Sequence, residues 1–203
     1  MRNDVYSDST GRMIYTLRLG PLVRKLPIIP IDDSTAIASF VILGDAELVN
    51  YAATAIAPKI NGVDLIVTAE AKGIPLAQQL ATELAMPRYV VLRKSKKSYM
   101  TNALHQQVKS ITTDSKQMLY LDQTDRTLLQ GKKVAIVDDV ISTGNSVDAM
   151  AALVQQAGAR VMWTAAILAE GDAARRDNII YINTLPLFTR TDGSYTTQTP
   201  GLR

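Results

Sequence analysis

Val134-Ala-Ile-Val-Asp-Asp-Val-Ile-Ser-Thr-Gly-Asn-Ser146 is the stretch on which the reading of the fold turns. Four consecutive apolar residues, Val134 to Val137, suit a strand covered on both faces of a parallel sheet. Asp138 and Asp139 follow that run, Gly144 breaks the pattern, and Val147, Met150, Ala151 and Val154 then recur at helical spacing. The predicted order is strand, tight turn, helix. Ser142, Thr143 and Ser146 can donate hydroxyls to an anion, while the first-turn N–H groups and the positive end of the helix dipole point at the same spot. Residues 142–146 therefore read as a cradle for one phosphate that needs no basic side chain.

The adjacent acids require their own explanation. Like charges this close raise each other's pKa unless a cation or several donors relieve them. A ribose diol meets that need, because its hydroxyls donate to carboxylates, and Mg2+ held nearby by a diphosphate would absorb the remaining charge. The bland alternative is an ordinary strand-turn-helix with a solvated acidic pair.

Composition bounds the rest. The chain of 203 residues is long enough for one sizeable core and short for two. With no cysteine, disulfide scaffolds and thiolate chemistry are excluded, and a lone histidine, His105, speaks against a zinc site. No apolar run is long enough to span a bilayer, and no charged start leads into an apolar stretch of signal-peptide type, so a cytoplasmic protein with no membrane partner is expected. Net charge is 22 minus 19, or +3, too small to argue for nucleic acid. The distribution is more telling: four of the five residues Arg93-Lys-Ser-Lys-Lys97 are basic, directly after the apolar run Tyr89 to Leu92. Such a run is commonly a solvated loop; beside an anion site it would attract a pyrophosphate leaving group.

Along the chain, Met13 to Leu43 is strand-like but interrupted by Pro21, Pro27 and Pro30, and reads as an irregular hairpin or cover. Ala46 to Ile56 is apolar at helical spacing. Buried strands are predicted over Val63 to Thr68, Tyr89 to Leu92, Val134 to Val137 and Val161 to Leu168, with a more exposed strand over Gln117 to Leu121. Helices are predicted over Ile74 to Ala85 and up to Gly158. Strand alternating with helix implies an α/β fold, a mainly parallel central sheet flanked by helices, with residues 1–44 as a small N-terminal arm and hood and 45–203 as the core. Ligands in such sheets sit beyond the carboxyl ends of the strands. Three loops would meet there, Ala69 to Gly73, Arg93 to Thr113 and Asp138 to Ser146, and the first of them, Glu70-Ala71-Lys72-Gly73, places a cation and a glycine at a helix start.

The apolar strand, acid pair and Ser-Thr-Gly-x-Ser loop closely resemble the signature of type I phosphoribosyltransferases, which bind phosphoribosyl pyrophosphate (PRPP). Together the loops are most similar to an adenine phosphoribosyltransferase or a close purine relative, over about Val63 to Phe188. The resemblance implies that Glu70, Ala71, Lys72 and Gly73 form a pyrophosphate loop, often with a non-proline cis peptide, aided by Arg93, Lys94 and Lys97. It further implies that Asp138 and Asp139 hold the ribose diol, and that Ser142, Thr143, Gly144, Asn145 and Ser146 anchor the 5′-phosphate. Lys72 would assist departure of the diphosphate, Asp114 would handle a proton, and Val140 and Ile141 would flank the base or serve as core. The implied cofactor is Mg2+ held mainly through PRPP, and the implied partners are PRPP and a purine base, with a homodimer common in the family. Ser142 stands where guanine and hypoxanthine enzymes tend to carry aspartate, which favours adenine. Xanthine phosphoribosyltransferase is the alternative within enzymes, since those proteins share Arg-Lys followed by a Lys/Ser-rich loop. A PRPP-sensing regulator is the alternative outside them, although no helix-turn-helix pattern precedes Val63. A P-loop kinase or hydrolase is disfavoured, because no Gly-x4-Gly-Lys-Ser/Thr occurs.

Overall fold

The computed structural model describes residues 4–109, 117–191 and 194–198. In chain order the elements are β1 (Val5–Ser7), β2 (Met13–Leu19), β3 (Leu22–Pro30), β4 (Thr35–Ala38), α1 (Ala46–Ile56), β5 (Leu65–Ala69) and α2 (Ile74–Glu83). There follow β6 (Val90–Leu92), β7 (Leu104–Gln107), β8 (Met118–Leu121), α3 (Gln123–Leu129), β9 (Lys133–Ile141) and α4 (Asn145–Gln156). The chain continues through β10 (Arg160–Glu170), a 3-10 turn (Gly171–Arg175), β11 (Ile180–Leu185), β12 (Leu187–Thr191) and β13 (Ser194–Thr197).

The central sheet is parallel throughout, in the order β11-β10-β9-β5-β6. Its strands read as near-continuous apolar runs because both faces are covered, and all of β5 is buried. On one face, Leu48, Ile56, Leu76 and Leu80 of α1 and α2 pack with Ile66, Ala135 and Ile167. On the other, Met150, Leu153 and Val154 of α4 pack with Val67, Ile136 and Ala166, and Leu119, Leu121 and Leu129 extend that layer. Asp45 caps α1, accepting from the Leu48 N–H at 3.1 Å.

Strand β9 is longer than its apolar run. Asp138 pairs with Ala166, Val140 with Leu168 and Ile141 with Ala169, so the acids sit inside the ladder rather than past its end. The Gln117 to Leu121 segment is a strand outside the main sheet, as β8, where it pairs antiparallel with β7. Strand β7 itself lies within the stretch read as a loop after Arg93. Strand β11, which begins within the run Ile179-Ile180-Tyr-Ile182, and the short helix α3 were not anticipated.

The N-terminal cover is more regular than its prolines suggest. Residues 22–27 of β3 pair with β2, and residues 28–30 pair with β4 on the other side. Pro27 lies where the strand changes partner, and its missing N–H costs little at such a handover. The cover sheet runs β1-β2-β3-β4-β12-β13, so both ends of the chain build it. Arg24 of β3 fastens it to α1, donating through Nε and Nη2 to Asp45 at 2.6 and 2.9 Å. Phe188 of β12 is fully buried in the same apolar layer and meets Tyr15 edge to face, with ring centroids 5.6 Å apart.

Phe188→Ala should therefore loosen the attachment of the C-terminal strands, costing about 3–5 kcal/mol of stability. Urea denaturation of the two proteins checks this, and a loss below about 1 kcal/mol would mean that the cover does not depend on this ring.

Candidate active site

From β5 the chain passes through α2 outward to β6, and it later returns to the opposite side of β5 to build β9, β10 and β11. The strand order thus reverses between β5 and β9. The crevice at their carboxyl ends is the place where such sheets bind ligands. The loop after β5 carries Glu70-Ala-Lys-Gly73, and the end of β9 carries Asp138 and Asp139. They meet: Lys72 Nζ lies 2.7 Å from Asp139 Oδ2.

The peptide bond between Glu70 and Ala71 is cis, as the resemblance implies. Glu70 is held from three directions. Its N–H donates to the Leu92 carbonyl at 3.0 Å, its Oε1 lies 3.0 Å from Arg93 Nη1, and its Oε2 accepts from the Lys94 N–H at 2.8 Å. Glu70 thereby ties the loop after β5 to the basic loop after β6. Gly73 opens α2, and only a residue without a side chain fits there. A Cβ would run into Thr68 Oγ1 and would lie 3.2 Å from Asp138 Oδ1. Thr68 is fully buried, and its hydroxyl has no hydrogen-bond partner among the described residues.

Asp139 is 4% exposed and Asp138 partly buried. Burial, and after it the Asp139 carboxylate alongside, push Asp138 up to about 7. The Asp139 N–H, which donates to Asp138 Oδ1 at 2.9 Å, and Lys72 pull the other way. Glu170, at the carboxyl end of β10, is also raised by burial, opposed by the Ser142 hydroxyl and Lys72. Lys72 thus pairs with Asp139, and its charge also favours the ionised forms of Asp138 and Glu170.

Residues 142–144 form the predicted turn between β9 and α4, and Asn145 and Ser146 open the helix. Ser142, Thr143 and Ser146 are exposed, Gly144 adopts the left-handed φ of +86° as N-cap, and the Asn145 N–H donates to Thr143 Oγ1 at 3.4 Å. Beside this turn lies a cavity of about 510 Å3, lined by Ser142, Thr143, Glu170, Asp172, Arg176 and Leu187, with Ala173. Leu187 belongs to the cover sheet, so the cavity opens between core and hood.

The predicted residues do not all converge. Lys97 is held in its own loop, its Nζ donating to Ser95 Oγ at 2.8 Å. Ile141 is buried in the layer beneath α4, and Val140 packs against the opposite layer. Asp114 lies outside the described residues. Conversely, Thr68, Glu170 and Arg176 belong to the site without having been singled out. Glu170 had a usable signal, a carboxylate directly after the buried run ending at Ala169, whereas nothing local marks Arg176.

The fold and this crevice define a type I phosphoribosyltransferase architecture. A model of the phosphoribosyl transferase domain matches residues 43–190. The hypoxanthine/guanine phosphoribosyltransferase of Methanococcus voltae is 36% identical over 140 residues, 67% of this chain and 69% of that protein. Its counterpart in Methanothermococcus okinawensis is 36% identical over 166 residues, 77% and 81% of the two chains. Among solved structures, the adenine phosphoribosyltransferase of Thermoanaerobacter pseudethanolicus superposes with a TM-score of 0.62 at 23% identity, over 78% of this chain and 95% of that one. That of Rhodothermus marinus does so at 0.57 and 20% identity, over 85% and 94%. The chain belongs to the phosphoribosyl transferase domain family. Among its described residues no helix is long and apolar enough to cross a membrane.

The crowded acid pair has a consequence for stability. Asp138 holds its proton more tightly in the folded chain, up to about 7, than at its ordinary value of 3.8. Its contribution to stability is complete below the ordinary value and is lost as pH rises through the folded one. Asp138→Asn removes that titration, so the stability of the variant relative to the parent should climb between about pH 4 and pH 8. Urea midpoints of both proteins across this range test it, and a constant difference would contradict the crowding.

Proposed function

We propose that the protein transfers the phosphoribosyl group of PRPP to a purine base, releasing pyrophosphate, with adenine as the preferred base. The observation that carries this reading is the meeting of Lys72 with Asp139 at 2.7 Å, where the sheet order reverses and beside a hydroxyl-rich turn. In this arrangement Asp138 and Asp139 accept from the ribose diol, and residues 142–146 hold the 5′-phosphate as a fixed pivot. Glu70 to Gly73, with Arg93 and Lys94 at their side, receive the diphosphate, and Lys72 offers it a cation. Among the described residues no group of three or more acids is placed to hold a metal by itself, and the Asp138–Asp139 pair beside a single lysine suits a divalent cation that arrives with the diphosphate. Mg2+ carried in this way would neutralise the leaving group when bound.

A ring nitrogen of the base attacks C1 of the ribose as the C1–O bond to pyrophosphate breaks. The proton from the base needs an acceptor; Asp114 retains that role as a proposal. Stabilising the departing charge more than the bound ground state is work for Lys72 and the basic loop. The cavity of about 510 Å3 beside Ser142 has room for a purine and offers both carboxylates and apolar walls. Ser142 in place of an aspartate supports adenine. The naming of the sequence relatives supports hypoxanthine or guanine as a second reading. A homodimer also belongs to the proposal: Val23, Ile31, Val41 and Leu43 leave large apolar side chains about half exposed around the hood.

Pyrophosphate release from PRPP and Mg2+, with adenine, hypoxanthine, guanine and xanthine offered separately, tests the reading. Adenine should turn over fastest; preference for hypoxanthine or guanine would replace the adenine assignment, and failure of every base would remove the enzymatic one. Asp138→Asn combined with Asp139→Asn should abolish turnover while the fold persists, and Lys72→Ala should lower kcat/KM by about a hundredfold, roughly 3 kcal/mol. Near-normal rates in the double variant would refute the roles given to these acids.

A further inference from the structure

The phosphate turn has an electrostatic problem that its own sequence does not solve. From Val134 to Ala159 there is no lysine or arginine, and the first turn of α4 instead carries the acid Asp148. A dianionic phosphate at the start of this helix would face a carboxylate within one turn, against the favourable dipole.

The relief comes from the far side of β10. Arg176, directly after the 3-10 turn, reaches across to α4, with Nη2 3.0 Å from Asp148 Oδ1 and Nε donating to Asn178 Oδ1 at 3.3 Å. Those two contacts fix the plane of the guanidinium. Its third nitrogen, Nη1, lies against Gly144, where a Cβ would run into it and would stand 2.8 Å from Cζ. Gly144 is therefore required twice, by its left-handed φ and by the approach of this arginine. Among the described residues Nη1 donates to none, and Arg176 lines the cavity together with Ser142 and Thr143.

We infer that Arg176 is a phosphate-positioning residue whose Nη1 donates directly to the 5′-phosphate held by residues 142–146. The inference rests on the PRPP reading above and adds to it the one cation that the turn lacks. A guanidinium anchored by two acceptors presents its remaining N–H groups without having to be ordered on binding. Asp148 then acts as the anchor of the arginine, and its charge is offset by the same contact.

Calorimetric binding of ribose 5-phosphate, and separately of Mg2+-pyrophosphate, tests this in the wild type, Arg176→Gln, Asp148→Asn and the combined variant. Arg176→Gln should weaken ribose 5-phosphate roughly tenfold or more and leave pyrophosphate unchanged. The combined variant should stay weak, because removing Asp148 does not restore a lost donor. Full recovery in the combined variant would overturn the inference, since Arg176 would then only neutralise Asp148. Equal loss of both ligands would overturn it too, by pointing to general disruption of the site, and so would unchanged ribose 5-phosphate binding. If Arg176→Gln does not fold, Arg176→Lys carries the test, with an intermediate loss expected and no loss contradicting it. A wild type that binds neither PRPP nor ribose 5-phosphate would instead sink the PRPP reading, and this inference with it.

Discussion

Two carboxylates forced side by side within a buried strand set the terms for everything around them. Asp138 and Asp139 sit in the β9 ladder, where backbone pairing to β10 leaves them no freedom to separate. Burial and mutual repulsion raise the pKa of Asp138 to about 7, and the lysine that relieves the pair comes from the loop after the neighbouring strand β5 rather than from β9. That lysine can reach only because Gly73 lets the start of α2 press onto Thr68 and Asp138. The sheet order, the glycine and the ion pair thus form one constraint. A sheet in which β5 and β9 were not neighbours would leave the acids without their cation.

The two halves of the crevice have different characters. Toward β5 and β6 the site is cationic and cross-braced, with Glu70 joining two loops through Leu92, Arg93 and Lys94. This suits a polyanion that departs with its charge. Toward β10 and the hood it is mixed in charge and partly apolar, with Glu170, Asp172 and Arg176 lining a cavity that Leu187 closes. Such a wall suits a flat heterocycle carrying donors. The lining of this cavity is drawn from β10, the turn after it and the cover sheet.

The phosphate turn, the helix after it and the buried strands were legible because each is written in adjacent residues. An apolar run, a glycine needing positive φ and a helical repeat are local patterns, and local sterics and solvation act on them directly. The extent of β9 was not legible, since Asp138 and Asp139 look like an end when read alone. They are strand only because Ala166 and Leu168 of β10 lie alongside. The prolines of β3 misled for a similar reason, as their cost depends on where the strand changes partner.

By itself, then, the sequence determined the chemistry on offer: an acid pair, a hydroxyl-rich anion turn, a lysine at a helix start and a run of cations, all carried by an alternating strand and helix pattern. What only the tertiary structure decided is which of these groups meet. Lys72 and Asp139 are far apart in the chain, and their contact follows from the reversal of strand order between β5 and β9. The position of Arg176 follows from packing alone, and the fastening of the C-terminal strands to the N-terminal cover does too. Such contacts depend on long-range pairing, whose specificity lies in complementary surfaces rather than in any run of residues.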